Sequence, residues 1–342
     1  MTVLHLLGSP GAGGAETYFV SLVAALARDG LAQAAAIRAN PMRERMLAEA
    51  GAPVTVMPFA APFDFVTAGR IARLARETDA KVLVQWMNRA GRCAPREGPW
   101  TRIGRLGGYY DLKYYRGCEL LVANTEDIRR YILSKGWPAD RVTYVPNFAT
   151  PGIQPPESRG RLETPDDAPL LLAMGRLHES KGLDIALKAL ERLPGSYLWI
   201  AGDGPLEAAL KDLAERLGVM SRVRFLGWRD DPSALYRAAD VCVFPSRYEP
   251  LGNTVIQAWA HGTPIVAAAS VGPAALIRDE EDGLLVPVDD AEGLAAAVGR
   301  LIHDGDLRQR VTQAGLARVQ GEFAEGPVVA RWREIFAARG EP

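Results

Sequence analysis

The chain has 342 residues, 48% of them hydrophobic and 24% charged, with a formal net charge of −1. That is the composition of a soluble globular protein, long enough that two hydrophobic cores are expected rather than one. Three cysteines without C-x-x-C spacing argue against a disulfide framework or a zinc site and for a reducing cytosol.

In chain order, short apolar runs at Val3–Leu7, Gln33–Ile37, Val54–Met57, Lys81–Gln85, Glu119–Ala123 and Val142–Val145 read as buried strands. Helical spacing fills most of the gaps, at Ala15–Arg28, Arg43–Ala50, Val66–Thr78 and Glu126–Lys135. A strand that begins at Val3 leaves no expected signal peptide, and no apolar run approaches the roughly 18 residues that a membrane span needs. Residues 149–169 (ATPGIQPPESRGRLETPDDAP) are rich in proline, glycine and charge and read as a linker. The alternation resumes with strands at Leu170–Met174, Tyr197–Ala201, Val223–Leu226, Val241–Phe244, Pro264–Ala268 and Leu284–Val286. Helices are expected at Leu183–Leu193, Leu206–Leu217, Leu251–Ala260, Ala291–Ile302 and Leu307–Gln320. The pattern is that of an α/β chain with two parallel, doubly covered sheets, 1–148 and 170–322. Charge divides with it: residues 1–160 carry 20 Lys/Arg and 14 Asp/Glu, the remainder 20 and 27. An anionic partner is expected for the first half.

The first glycine loop, GSPGAGGAE (8–16), follows a strand and opens a helix, so Gly13 and Gly14 permit close approach of a phosphate or sugar oxygen. Read as G-x-G-x-x-G it fails at Glu16, and Arg38 and Asn40 stand where a dinucleotide enzyme carries an acidic residue. Residues 86–118 place seven Arg/Lys among four tyrosines and two tryptophans, against Glu97 and Asp111 alone. Basic residues interleaved with aromatics suit nucleic acid, anionic sugars or a headgroup surface; an amphipathic helix with its tyrosines packed inward is the structural alternative. In MGRLHESKG (174–182), Arg176 and Lys181 span one loop and can reach one diphosphate. AGDGP (201–205) is a sharp turn at Gly204, and FLGW (225–228) leaves Trp228 either to stack on a base or to edge a core. In 240–268 a strand runs into a loop with the carboxylate Glu249, then a helix opening on Leu251, Gly252, Asn253 and Thr254, whose amides suit a diphosphate. Gln257 shares a helical face with Asn253. No metal-ligating motif occurs; Asp166–Asp167, Asp230–Asp231 and Asp289–Asp290 read as caps and linker residues.

Ser246, Glu249, Pro250 and Gly252, followed by Ala260, Gly262, Pro264, Ile265 and Val266, resemble the signature of the retaining GT-B glycosyltransferases of family four, the glycosyl transferases group 1. GGAE at 13–16, G-R-L-x-x-x-K-G at 175–182 and V-P-N at 145–147 are similar to further motifs of that family. The resemblance implies a GT-B fold, two Rossmann-like domains facing each other across a cleft, with a C-terminal helix within 323–342 crossing back to the first. It implies Glu249, Lys181 and Arg176 as catalytic residues. Gly13, Gly14, Gly204, Trp228, Leu251–Thr254 and Gln257 would bind the nucleotide-sugar donor. Gln257 departs from the family's second glutamate. Asn88, Arg89, Arg105, Tyr109 and Asn147 would face the acceptor, with Asn88 or Arg89 where many members carry a histidine; His5 reads as a packed strand residue.

The resulting expectation is a metal-independent, retaining hexosyltransferase using a UDP- or GDP-linked sugar as substrate and no resident cofactor. Its acceptor would be an anionic glycan or glycolipid in lipopolysaccharide core or envelope synthesis, and it would bind no nucleic acid. The expected location is cytoplasmic, including the inner face of the cytoplasmic membrane. The alternatives are a non-catalytic nucleotide-sugar binder, a nucleotide-sugar epimerase of the same fold and an NADP oxidoreductase.

Overall fold

The computed structural model of the protein describes residues 1–11, 13–60, 64, 66–152, 154–229 and 232–340. The chain divides into two compact units: Met1–Asn147 joined by the C-terminal helix Glu325–Gly340, and Phe148–Ala324.

In the first unit the strands are β1 (Thr2–Leu7), β2 (Gln33–Ile37), β3 (Val54–Val56), β4 (Ala80–Trp86), β5 (Thr101–Leu106), β6 (Leu120–Ala123) and β7 (Val142–Tyr144). They form a parallel sheet in the order β3-β2-β1-β4-β5-β6-β7. Helices α1 (Gly14–Arg28), α2 (Pro41–Glu49), α3 (Thr67–Glu77), α4 (Met87–Cys93) and α5 (Glu126–Ser134) provide the crossovers. The strand order reverses between β1 and β4, and in such sheets ligands bind at the carboxyl ends of the strands beside that switch point. Leu4 and Leu6 enter one core layer with Ala34, Ala36 and Leu83. His5, on the opposite pleat, meets Phe19 of α1 and Phe336 of the C-terminal helix at ring-centroid distances of 6.2 and 6.3 Å. Ion pairs Arg28–Glu325 (2.6 Å) and Arg333–Asp29 (2.7 Å) fix that helix against α1.

Residues 86–118 are not one amphipathic helix. They hold α4, the strand β5 and a 3-10 turn at Leu112–Tyr115. Arg102 and Arg105 hid β5 from a hydropathy reading, yet both are buried, at 7% and 3% exposure.

The second unit repeats the plan with β8 (Leu170–Met174), β9 (Tyr197–Ala201), β10 (Val223–Gly227), β11 (Val241–Phe244), β12 (Ile265–Ala268) and β13 (Leu284–Val286), ordered β10-β9-β8-β11-β12-β13. Its helices are α6 (Leu183–Glu191), α7 (Glu207–Arg216), α8 (Pro232–Ala238), α9 (Asn253–Ala260), α10 (Val271–Leu276), α11 (Ala291–His303) and α12 (Gly305–Gly321); Glu325–Gly340 is then α13. Leu171 and Ala173 of β8 point into one core, and Leu170 and Leu172 into the other, as the two-residue period of a doubly covered strand requires.

The proline-rich stretch 149–169, expected to link the halves, is held against the second unit. Glu157 donates its backbone N–H to Ala234 (2.9 Å), Arg159 reaches the Ala238 carbonyl and Asp240, and Thr164 accepts from Trp199 Nε1 (2.9 Å). Ile153, Asp230 and Asp231 lie outside the described residues; Asp290 does cap α11, accepting from the Gly293 amide at 2.8 Å.

Candidate functional site

In the second unit the loop after β8 and the loop after β11 are bound into one rigid body. Gly182 takes a left-handed conformation (φ 62°) to end the turn and start α6, and a Cβ there would collide with the Pro245 carbonyl. Arg247 crosses between the loops. Its backbone N–H donates to Ser180 O (2.9 Å), and its guanidinium donates to Glu179 O and to both Asp184 oxygens, each at 2.8 Å, and to Asp289 at 2.5 Å. The Asp184 hydrogen bond pushes the Arg247 pKa up. Burial pulls the Asp184 carboxyl upward, but Arg247 and Lys188 outweigh it and hold it below the usual range. A forked, charge-assisted contact of this kind fixes position as well as charge.

Onto this frame the two loops bring Lys181 and Glu249. Lys181 Nζ donates to Glu249 Oε2, with side chains 24% and 17% exposed. The ammonium stem runs past Gly175, which has φ 145° and lies 3.6 Å from Lys181 Cδ as measured from a virtual Cβ. Nζ itself sits 5.8 Å from the Phe244 ring centroid. Glu249 is placed from behind by its own carbonyl, which accepts from the Gly272 amide at 2.7 Å; a Cβ on Gly272 would stand 2.6 Å from that oxygen. Arg176 projects into solvent and forms no ion pair among the described residues. Gly204 (φ 154°) lets its turn pass under this loop, since a Cβ would lie 2.5 Å from the Leu177 carbonyl. Leu177 is pinned there by donation to Asp203 O at 2.7 Å.

Helix α9 starts at Gly252 (φ 90°), and no side chain caps it. Leu251 is buried at 4% exposure, whereas Asn253, Thr254 and Gln257 are half-buried on the face opposite Val255, Ile256 and Trp259. Trp228 is 46% exposed. The second unit thus offers a carboxylate, two cations and a helix start, a set that can hold a polyhydroxylated anion and absorb developing negative charge.

In the first unit Gly13 precedes and Gly14 opens α1, but the glycine loop is internally braced. Arg43, 4% exposed, donates to Ser9 O (2.8 Å) and Gly11 O (2.5 Å), and Ser9 Oγ donates to the buried Glu16 carboxylate. Burial lowers the Arg43 pKa while Glu16 raises it, with a net downward shift. Ala12 lies outside the described residues. Asn40, beside the position a dinucleotide enzyme reserves for an acid, caps α2 by accepting from the Arg43 amide at 3.0 Å.

Asn88 and Arg89 of α4 line a pocket of about 380 Å³. Arg105, expected to meet an acceptor, is instead interior to the unit. It donates to Leu106 O (3.0 Å) and Asn147 Oδ1 (2.5 Å), and its guanidinium lies 5.5, 5.9 and 6.0 Å from the rings of Tyr18, Trp86 and Trp332. Burial lowers its pKa, with Tyr18 opposing. Asn147 is buried with it, at 3% exposure. The Tyr109 hydroxyl donates to Asp127, and its ring meets Tyr131 edge-on at 5.3 Å. Three aromatic faces, a backbone carbonyl and an amide oxygen surround a guanidinium that sequence reading places at a surface, while its buried Nε has no hydrogen-bond partner. His5 is fully buried, and desolvation brings it down to about 4.

Sequence reasoning missed Arg247, Asp184 and Arg43. Arg247 stands inside a quoted motif, but its partner Asp184 lies 63 residues earlier, and nothing local links them. Among the described residues no three His, Cys, Asp or Glu side chains gather as a metal site would need.

Residues 168–304 match the family described as Glycosyl transferases group 1. The chain is 37% identical to the lipopolysaccharide core biosynthesis glycosyltransferase LpsE of Rhizobium meliloti (strain 1021), with 96% of each chain covered. It is 35% identical to LpsD of the same organism, with 98% of each covered. In structure it is similar to a glycosyltransferase from Rickettsia africae ESF-5, at TM-score 0.88 and 18% identity over 98% of both chains. It is also similar to Anabaena HepE in complex with UDP-glucose, at TM-score 0.87 and 20% identity over 99% of this chain and 100% of that one. Identity that runs through both Rossmann-like units, and not through the motif-bearing one alone, settles the family: the chain belongs to the group 1 glycosyl transferases, of GT-B fold.

Proposed function

We propose that this glycosyltransferase moves a hexose from a UDP- or GDP-linked donor to a lipopolysaccharide core acceptor, retaining the anomeric configuration and using no metal ion. The observation that carries the donor half is the Lys181–Glu249 pair, held on two loops that Arg247 locks together. Two half-buried opposite charges at one point, beside an unpaired arginine, suit a ligand that brings both hydroxyls and phosphate oxygens. The acceptor class rests on the near-full-length likeness to LpsE and LpsD. The UDP-glucose complex of HepE makes uridine the first base to test.

As the glycosidic C–O bond to the diphosphate breaks, negative charge grows on the leaving phosphate. Lys181, Arg176 and the amides at 251–254 take up that charge, and Glu249 accepts hydrogen bonds from the sugar. The acceptor hydroxyl attacks carbon on the face the diphosphate leaves and passes its proton to a diphosphate oxygen, so configuration is kept. Gln257 offers an uncharged hydrogen bond to the ribose. Among the described residues no helix is long and apolar enough to cross a membrane; attachment to the inner membrane surface, part of the same proposal, is tested by cosedimentation with anionic vesicles.

Thermal stabilisation by UDP, GDP, ADP and NADP, run beside Lys181→Ala, tests the donor site. A shift with one diphosphate that the variant loses is expected; a shift with NADP alone would sink the reading. Proton NMR of the product from an α-linked donor must show an α-glycoside, and a β-glycoside would overturn the retaining mechanism.

A further inference from the structure

We infer that the pocket beside α4 is a subsite for an acidic sugar of the acceptor, gripped at its anionic group by Arg92 and Arg89 and at a hydroxyl by Asn88. The inference rests on the glycosyl-transfer reading above and names a substrate class for the first unit. The pocket, about 380 Å³, is lined by Asp64, Asn88, Arg89, Arg92, Cys93 and Tyr114 together with Ala60, a size suited to a small ligand.

Three observations define its chemistry. Asn88 Oδ1 is buried and has no hydrogen-bond partner, which is costly unless a ligand donor arrives. Neither Arg89 nor Arg92 forms an ion pair among the described residues. Arg89 spends one N–H on Phe59 O (3.2 Å), and exposed Arg92 lies over the Tyr114 ring at 5.6 Å. The carboxylate in the lining, Asp64, is already engaged, accepting from the amides of Ala60 (2.7 Å), Thr67 (2.8 Å) and Val66 (3.2 Å).

Burial and then Asp64 push the Cys93 thiol up to about 11, so it is a neutral wall and not a nucleophile. The pocket therefore presents two cations against one amide-bound carboxylate, one empty hydrogen-bond acceptor and an aromatic face. A neutral hexose would satisfy Asn88 but leave the excess positive charge of the two guanidiniums over Asp64 uncompensated. A sugar bearing a carboxylate or a phosphomonoester satisfies all three groups.

Saturation-transfer NMR titrations with glucuronate, glucose 6-phosphate and methyl glucoside test this on the full chain, beside Arg92→Gln. Because Arg92 is exposed, the variant is expected to fold normally. At least one acidic sugar should bind tenfold or more tightly than methyl glucoside, and Arg92→Gln should remove most of that advantage while leaving the neutral sugar unchanged. Whether glucuronate or glucose 6-phosphate binds better tells the carboxylate source from the phosphate source. Equal binding of the neutral sugar, no binding of either acid, or no effect of Arg92→Gln overturns the subsite. Stabilisation by UDP and by GDP measured on the same samples separates the two ideas: if either persists while acidic sugars fail, the subsite alone falls, and if both are missing, the donor reading falls.

Discussion

Lys181 and Glu249 neutralise each other in the free protein, and that fixes what each substitution should do. Both are partly solvated, so losing the pair should cost stability no more than about 1 kcal/mol. The loss of charge opposite a departing diphosphate is a different matter. Lys181→Ala should slow turnover on the order of a hundredfold or more, with little change in melting temperature; turnover within a few-fold of wild type would remove Lys181 from the reaction. Gln257, on the half-buried face of α9 with Asn253, allows a gentler test. Gln257→Glu should change nucleotide affinity by about 1 kcal/mol if the side chain meets the ribose, and isothermal titration would show it.

At the scale of elements, the proposed donor site depends on two turns meeting in one conformation. Gly182 and Arg247 enforce this from opposite directions, one by lacking a Cβ and the other by a fork of hydrogen bonds. Gly182→Ala adds a methyl group at φ 62° against the Pro245 carbonyl, and should lower stability by about 1–3 kcal/mol, readable in a urea melt. Arg247→Lys keeps the charge but cannot bridge both Asp184 oxygens, Asp289 and Glu179 at once. Activity should fall roughly tenfold as the loops loosen, while the helix content measured by circular dichroism stays the same. Wild-type activity in this variant would show that the loops hold each other without the fork.

Across the whole molecule, pH acts through a buried histidine, His5 of β1. His5 stays neutral in the folded chain down to about 4, against 6.5 unperturbed. Between those values the unfolded chain binds a proton that the folded chain refuses, so stability falls as pH falls through this window. At pH 5 the loss amounts to about 2 kcal/mol. His261, also shifted down by burial, works in the same direction. His5→Gln should flatten the decline between pH 6.5 and 4 in denaturant titrations; an unchanged slope would assign it to other groups.

Periodicity, turn chemistry and one dense motif were enough for the sequence to determine the alternation of strands and helices, their repetition in two units and the loops that carry Glu249, Lys181 and Gly252. Each of these depends on neighbours within one loop or one helical turn. Tertiary structure alone decided the fate of groups whose partners are remote in the chain. Arg105 reads as a surface cation until Tyr18, Trp86 and Trp332 enclose it. Strand β5 is concealed by two arginines that only burial between neighbouring strands explains. Arg247 gains its role from Asp184, and Asn88 its unmet hydrogen bond from the packing of α4. A charged side chain carries no local sign of whether its counterpart is water, an aromatic ring or a distant carboxylate, and only the folded chain makes that choice.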